Sequence, residues 1–133
     1  MLKNMNEELM PEEVMLQKKV WAVIGATENP KKYGNMIYKK LKKRGYTVYP
    51  VNPNVNLVDG DTCYPDLSSL PQVPEVIDMV VSPQIGMAIL EESARLGIKD
   101  VWLQPGTFND ELLTLIKKLN LNAVQACVMV ALR

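Results

Sequence analysis

The sequence predicts an α/β domain of the Rossmann type, built on a parallel sheet of five to six strands with helices on both faces. Apolar runs of strand length alternate along the chain with segments of helical periodicity, and several of those runs are apolar at successive positions. Strands covered on both faces have this pattern, and strand–helix alternation indicates parallel strands joined by right-handed crossovers. We expect the strand order 3-2-1-4-5, with room for one extra strand. The length of 133 residues fits one such domain, 1–133.

The first half of the chain is predicted to contain a helix, a strand, a second helix and a second strand. The segment 1–19 should hold a short helix with Pro11 at its start, acidic residues in its first turn and lysines in its last. It leads into VWAVI, 20–24, an apolar run typical of a buried strand. Apolar residues at helical spacing then continue to Gly45, and TVYPVNP, 47–53, is the second strand.

The second half begins with a turn-rich segment, 54–75, in which we expect a short strand at 62–64 and a helical turn at 66–70. Strand and helix patterns then alternate to the end of the chain. The predicted elements are a strand in VIDMVVS, a helix over 84–96 ended by Gly97, a strand in KDVWLQPG, a helix capped by Asn109 and a final strand in NAVQA.

Composition excludes several classes of function. Fifteen basic residues balance fifteen acidic ones, and no signal peptide or membrane-spanning run is visible, so we expect a cytoplasmic protein without a membrane partner. Cys63 and Cys127 lie far apart and outside any CxxC pair, so the sequence predicts neither a disulfide framework nor a thiolate metal site. There is no histidine, which excludes histidine-based catalytic triads and metal sites.

One stretch of the chain is locally positive. No Asp or Glu occurs between Glu28 and Asp59, whereas seven cations lie in that gap: Lys31, Lys32, Lys39, Lys40, Lys42, Lys43 and Arg44. A solvated helix face explains such a run, and so does an anion site. Balanced total charge and the lack of a recognisable DNA-binding motif do not favour nucleic acid as the partner.

The turn after the first strand, in WAVIGATENPKKYG, carries the clearest functional signal. Parallel sheets bind ligands beyond the carboxyl ends of their strands, and unpaired N–H groups at a helix start attract phosphate. Gly25 would let the backbone approach a ligand, Thr27 offers a hydroxyl, and Lys31, Lys32 or both add charge. Thr27→Glu or Gly25→Asp is therefore expected to abolish phosphate binding, with little loss of fold if the new side chain reaches solvent. The alternative is that Gly25 only makes a tight turn and that Asn29 with Pro30 only caps a helix.

Two well-known phosphate motifs are absent from this turn. The dinucleotide fingerprint GxGxxG would need glycines where the chain has Thr27 and Pro30, and the second strand ends in Asn52 rather than an acid. The Walker pattern also fails, because Pro30 replaces its second glycine and Lys32 replaces its Ser or Thr. NAD and nucleoside triphosphates are thus disfavoured, although an NAD- or nucleotide-responsive regulator stays open as an alternative.

Five segments, taken in order, resemble a known family: VWAVIGATENPKKYG, YTVYPVNPN, IDMVVSP, VWLQPGTFNDE and NAVQACVMVAL. They are similar to the single-domain CoA-binding proteins related to the N-terminal domain of the succinyl-CoA synthetase α subunit. The resemblance runs from about Glu12 to the end of the sequence and implies coenzyme A as the cofactor. The phosphohistidine of the synthetase has no counterpart, since the chain lacks histidine.

The resemblance also implies where each part of CoA would bind. The diphosphate would lie at the turn after the first strand. The adenosine would lie at the ends of strand two (TVYPVNP) and strand four (VIDMVVS), and the neutral pantetheine arm would lie beyond strand five (KDVWLQPG). The acid-free stretch is expected to flank this site and attract the phosphates. The implied residues are Gly25, Ala26, Thr27, Lys32 and Tyr33 for the diphosphate; Asn52, Pro53, Val81, Ser82 and Pro83 for the adenosine; and Gln104, Pro105, Gly106 and Cys127 for the arm.

These observations favour a noncatalytic protein that binds CoA or an acyl-CoA as a sensor or carrier. The alternative is a small acyl-CoA enzyme, or a detached ligase-like subunit, that uses Cys127 or a partner's residues. No base is recognisable beside Cys127, so a packing role is favoured for it. Asp78 and Asp100 are predicted at strand starts and Asp110 at a helix start, which provides no acid–base pair. Whether the chain forms a homodimer or binds another protein stays open.

Overall fold

The structure, a computed structural model, describes residues 10–133. Part of the predicted segment 1–19, namely 1–9, lies outside the described residues. The helices are α1 Pro11–Gln17, α2 Tyr33–Lys43, α3 Pro83–Arg95, α4 Asp110–Lys118 and α5 Val128–Ala131, with a 3₁₀ turn at Leu67–Ser69. The strands are β1 Val20–Ile24, β2 Thr47–Val51, β3 Leu57–Val58, β4 Asp61–Thr62, β5 Val76–Met79, β6 Asp100–Leu103 and β7 Asn122–Gln125.

Five parallel strands form the main sheet in the order β2-β1-β5-β6-β7, which confirms the predicted α/β class. The expected order 3-2-1-4-5 needs correction at one edge. Beside β2, where a third strand was predicted, there is a single parallel bridge between Val51 and Tyr64. The residues before it pair with each other instead, because Asp59 and Gly60 both adopt positive φ and turn β3 back onto β4 as a hairpin.

Helices cover both faces of the sheet and create two apolar layers. On one face Trp21 and Trp102 are fully buried with ring centroids 5.8 Å apart, and α2 packs over them through Ile37. On the other face α3 and α4 cover strand residues such as Ile77. Among residues 10–133, no helix combines the length and the apolar character that crossing a bilayer requires.

The helices differ from the predictions in two respects, at the end of the first helix and in one additional short helix. Asn109 caps α4 as predicted, because its Oδ1 accepts the Leu112 N–H at 2.9 Å. The first helix ends at Gln17, so Lys18 lies beyond it and forms an ion pair with Asp100 of β6. The short helix α5 was not predicted, since one turn of apolar residues has too little periodicity to be distinguished from a strand.

Candidate functional site

Two glycines let the turn after β1 pack closely on its neighbours. Gly25 has a φ of +98°, and a Cβ built on it would lie 2.6 Å from the carbonyl oxygen of Val80. A Cβ built on Gly34 would lie 2.1 Å from the carbonyl oxygen of Gly25. The condition under which Gly25→Asp was expected to spare the fold, a side chain that reaches solvent, is therefore not met, because the side chain would collide with the backbone after β5.

Side-chain amides hold this turn from two directions. Asn35 of α2 is 2% exposed and donates from Nδ2 to the Thr27 carbonyl oxygen at 2.9 Å. Asn52, directly after β2, donates from Nδ2 to the Ala26 carbonyl oxygen at 2.9 Å. The Thr27 hydroxyl oxygen accepts the Asn29 N–H at 3.2 Å. The backbone of the turn is thus preorganised by the protein's own hydrogen bonds.

A cleft of about 560 Å³ lies over the turn. Lys31 and Lys32, both exposed, bring two positive charges to the start of α2. No side chain caps the first turn of α2, where backbone N–H groups lack intrahelical partners and the helix dipole is positive. The cleft therefore has a positive electrostatic potential. Its lining residues are Gly25, Thr27, Lys31, Lys32, Tyr33, Gly34, Asn52, Val80 and Val81.

The remainder of the basic run does not line this cleft. The eleven residues of α2 span about 16 Å, which separates its two ends. Lys42, near the far end, pairs with Asp59 at 3.2 Å and with Asp61 at 2.6 Å. Of the seven cations, only Lys31 and Lys32 line the cleft. The expectation that the whole acid-free stretch flanks the site was thus too broad, because folding brings acids from the β3–β4 hairpin to its distant end.

A narrow pocket of about 140 Å³ lies next to the cleft and shares Tyr33 and Val80 with it. Its wall is mostly apolar, and the Gln104 amide and the Cys127 thiol are among its polar groups. Cys127 is partly exposed, and it directly precedes α5. The residues that line the narrow pocket are Tyr33, Ile37, Val80, Gln104, Pro105 and Cys127.

Gln104 is fixed in the wall of the narrow pocket by two hydrogen bonds. Its Nε2 donates to Asp78 Oδ1 at 2.7 Å, and its Oε1 accepts the Val128 N–H at 3.2 Å. Asp78 is fully buried, and its Oδ2 has no hydrogen-bond partner in the described part of the chain. Burial raises the pKa of the Asp78 carboxyl to about 8, although the bond from Gln104 acts in the opposite direction.

The prediction that Asp78 lies at a strand start is wrong, since it is the third residue of β5 and its side chain is in the interior. A signal for this was present in the sequence. VIDMVVS was predicted as a strand covered on both faces, and a single acid inside such a run has no solvent-facing side available. Asp100 and Asp110 do begin β6 and α4, respectively, as predicted.

The structure brings most of the predicted site residues to these two spaces. Those that line one or both are Gly25, Thr27, Lys32, Tyr33, Asn52, Val81, Gln104, Pro105 and Cys127. Those that line neither are Ala26, which is buried in the core, and Pro53, Ser82, Pro83 and Gly106. Sequence reasoning missed Gly34, Ile37 and Val80, because such residues in a helix or strand are typical of ordinary packing.

The other polar candidates have structural surroundings. Cys63 is buried, and burial raises the pKa of its thiol. Glu28 is exposed, as the sequence analysis expects, and accepts the Asp59 N–H at 3.3 Å. Within residues 10–133, no three His, Cys, Asp or Glu side chains cluster in a way that would suit a metal ion.

Known proteins share both the sequence pattern and this fold. The profile of a family described as CoA binding domain matches residues 19–133. The chain is 37% identical over 89 residues to the ADP-forming acetate–CoA ligase I of Archaeoglobus fulgidus, a match that covers 67% of this chain and 13% of the ligase.

Two solved structures match over most of their length. A hypothetical protein from Pyrococcus horikoshii is 35% identical, with a TM-score of 0.84 over 92% of this chain and 89% of that one. A conserved hypothetical protein from Pyrococcus furiosus is 36% identical, with a TM-score of 0.79 over 85% of this chain and 98% of that one. Because the family profile covers nearly the whole sequence, as the resemblance of its five segments implied, this chain belongs to the CoA binding domain family.

Proposed function

We propose that this protein binds coenzyme A or an acyl-CoA, with the diphosphate at the turn after β1 and the pantetheine arm in the narrow pocket. The observation that carries the proposal is the contact between two unlike spaces, a cationic cleft and a narrow apolar pocket, which share Tyr33 and Val80. CoA matches these two spaces in sequence, since its anionic diphosphate continues into a neutral arm that ends in a thiol. Membership of the CoA binding domain family supports the same ligand.

The residues of the cleft fit the diphosphate. Gly25 and Gly34 line the cleft, and the first turn of α2 offers N–H groups without a side-chain cap. Lys31 and Lys32 would add charge-assisted hydrogen bonds, each worth about 1.5–3 kcal/mol. Asn52 shapes the cleft rather than binding the diphosphate, because its Nδ2 bonds to Ala26 and its Oδ1 accepts the Asn54 N–H.

A binding or sensing role, rather than turnover, fits the residues that line these spaces. Nucleophilic or acid–base catalysis needs an activated group beside the ligand. The ionisable side chains that line the cleft and the narrow pocket are Lys31, Lys32, Tyr33 and Cys127. This set has no carboxylate or imidazole that would serve as a base at neutral pH, and the nearby Asp78 is enclosed behind Gln104.

Isothermal titration calorimetry with CoA, NAD and ATP tests the ligand. We expect CoA to bind more tightly than NAD and ATP, and Lys32→Gln to weaken CoA binding at least tenfold. Lys39→Gln is the matched control, because Lys39 is exposed on the same helix and does not line the cleft. Equal affinities of the two variants would contradict the diphosphate position, and NAD binding without CoA binding would contradict the proposed function.

A second measurement separates binding from catalysis. Purified protein is incubated with acetyl-CoA, and free thiol is followed over time. We expect the thioester to survive unchanged beyond its spontaneous hydrolysis. Release of CoA that disappears in Cys127→Ser would instead support a small acyl-CoA enzyme.

A further inference from the structure

The Asp78 carboxyl lies between the apolar core and the narrow pocket. In the sheet, Asp78 is in register with Val23 of β1 and with Trp102 of β6. Side chains alternate along a strand, so Asp78 shares its face with the residues two positions away. Val76 belongs to the core layer beneath α2, and Val80 lines the narrow pocket. Asp78 is therefore enclosed by apolar groups on the side away from Gln104.

No charged neighbour compensates for this burial. The influences on the Asp78 carboxyl are burial itself and the hydrogen bond from Gln104. No titratable side chain of the elements packed against this face, such as Lys18, Tyr33, Tyr38 or Cys127, is among these influences. Tyr38 donates its hydroxyl to Asp61 at 2.6 Å, and Lys18 pairs with Asp100, while the other two line the narrow pocket. The carboxyl can therefore stay buried without water only in its protonated, neutral form.

We propose that Asp78 is a positioning residue for the narrow pocket, acting through the Gln104 side chain on the start of α5, where Cys127 lies. The Gln104 amide connects Asp78 to the Val128 N–H, so three segments that surround the pocket meet at one side chain. The inference rests on the proposed function only for the identity of the ligand. The positioning role of Asp78 within the protein is supported by the hydrogen bonds and by the burial of Asp78.

Ionisation of Asp78 changes what this arrangement requires. A neutral carboxyl can stay in an apolar interior, whereas a carboxylate needs water or donors at both oxygens. Oδ2 has no partner among residues 10–133, so the charge must be relieved by water. The narrow pocket is the available route, because Gln104 both lines the pocket and bonds to Asp78. Water that enters to solvate Oδ2 must part the side chains that close the pocket wall, and this loosens the Val128 N–H even though the carboxylate accepts more strongly from Gln104 Nε2.

The consequence for binding is a fall in affinity on the alkaline side. A ligand that requires the intact pocket binds the protein whose Asp78 is protonated. Below pH 8 this form dominates, and above pH 8 its fraction falls tenfold per pH unit. CoA is therefore expected to bind about tenfold more weakly at pH 9 than at pH 7 through this group alone.

Amide hydrogen exchange at Val128 tests the inference without any ligand. Exchange is measured by NMR between pH 6.5 and pH 9, corrected for the intrinsic rate, in the wild-type protein and in Asp78→Asn. Wild-type protection of Val128 is expected to fall above pH 8. Asp78→Asn is expected to keep a constant value, because its amide cannot ionise and its Oδ1 still accepts from Gln104. Parallel profiles for the two proteins would overturn the inference.

Gln104→Met is a second variant for the case in which Asp78→Asn does not fold. It keeps the length of the side chain and removes both hydrogen bonds. Val128 should then lose protection at every pH and show no transition near pH 8. Wild-type protection that persists in Gln104→Met would also overturn the inference.

CoA titrations at pH 7 and pH 9 complete the test. The ratio of the two dissociation constants is expected to be about tenfold larger in wild type than in Asp78→Asn. Any effect of pH on CoA itself or on the rest of the site is common to both proteins and cancels in this comparison. Equal ratios would overturn the role of Asp78 in binding. If CoA binds neither protein at pH 7, the proposed function fails, while Val128 exchange still decides the internal role of Asp78.

Discussion

Asp78→Asn should remove a pH dependence from the stability of the whole fold. The Asp78 carboxyl has a pKa of about 8 when folded, against an ordinary value of 3.8. Below pH 3.8 both the folded and the unfolded chain hold this proton, so the contribution of the group to stability is fully present. Between these two pH values only the folded chain keeps the proton, and the free energy of unfolding falls as the pH rises. Above pH 8 the loss is complete.

The magnitude follows from the linkage between proton binding and folding. The slope from this single group is about 1.4 kcal/mol per pH unit, so wild type should lose about 3 kcal/mol between pH 5 and pH 7. Asp78→Asn has no proton to lose in this interval. The new amide leaves N–H donors unpaired at a cost of about 1–3 kcal/mol, but that cost is the same at every pH. The difference in slope between the two proteins is therefore the quantity to measure.

Urea denaturation at pH 5, 6 and 7 provides that slope for each protein. Asp110→Asn is the control, because it removes an exposed carboxylate at the start of α4 and leaves the interior unchanged. The wild-type line should fall more steeply with pH than the line of Asp78→Asn, and Asp110→Asn should follow wild type. If wild type and Asp78→Asn give parallel lines, Asp78 is already ionised in the folded protein, and the account of its burial is wrong.

Three further predictions concern the turn and the scaffold around it. Thr27→Glu should weaken CoA binding at least tenfold in calorimetry, because it brings a negative charge into the cationic cleft, whereas Thr114→Glu on the exposed surface of α4 should bind like wild type. Gly34→Ala should lower the free energy of unfolding, measured by urea denaturation, by about 1–3 kcal/mol, because its Cβ would lie 2.1 Å from the Gly25 carbonyl oxygen. CoA binding should be lost with the displaced turn. Asn109→Ala should cost about 1 kcal/mol through loss of the α4 cap and leave the dissociation constant of CoA unchanged, so a large effect on binding would contradict the separation of α4 from the site.

The fold class could be predicted because it depends on patterns within short segments. VWAVI is apolar at every position, and the structure buries four of its five residues between two layers of helices. Gly45 and Gly97 follow α2 and α3 with positive φ, as residues that end helices do. The third strand was predicted wrongly although its cause is local too, since Asp59–Gly60 is a hairpin signal that the sequence already contains.

The sequence by itself determined the order of strands and helices, the turn at Gly25 and Thr27, and the family resemblance, since each is expressed in neighbouring residues. Only the tertiary structure decided which cations remain at the cleft and what surrounds Asp78. Lys42 lies seventeen residues from Asp59, and Asp78 lies 26 residues from Gln104, so packing alone brings these partners together. Charge pairing depends on the distance between charges, and desolvation depends on burial. A linear sequence pattern gives neither the distance nor the burial.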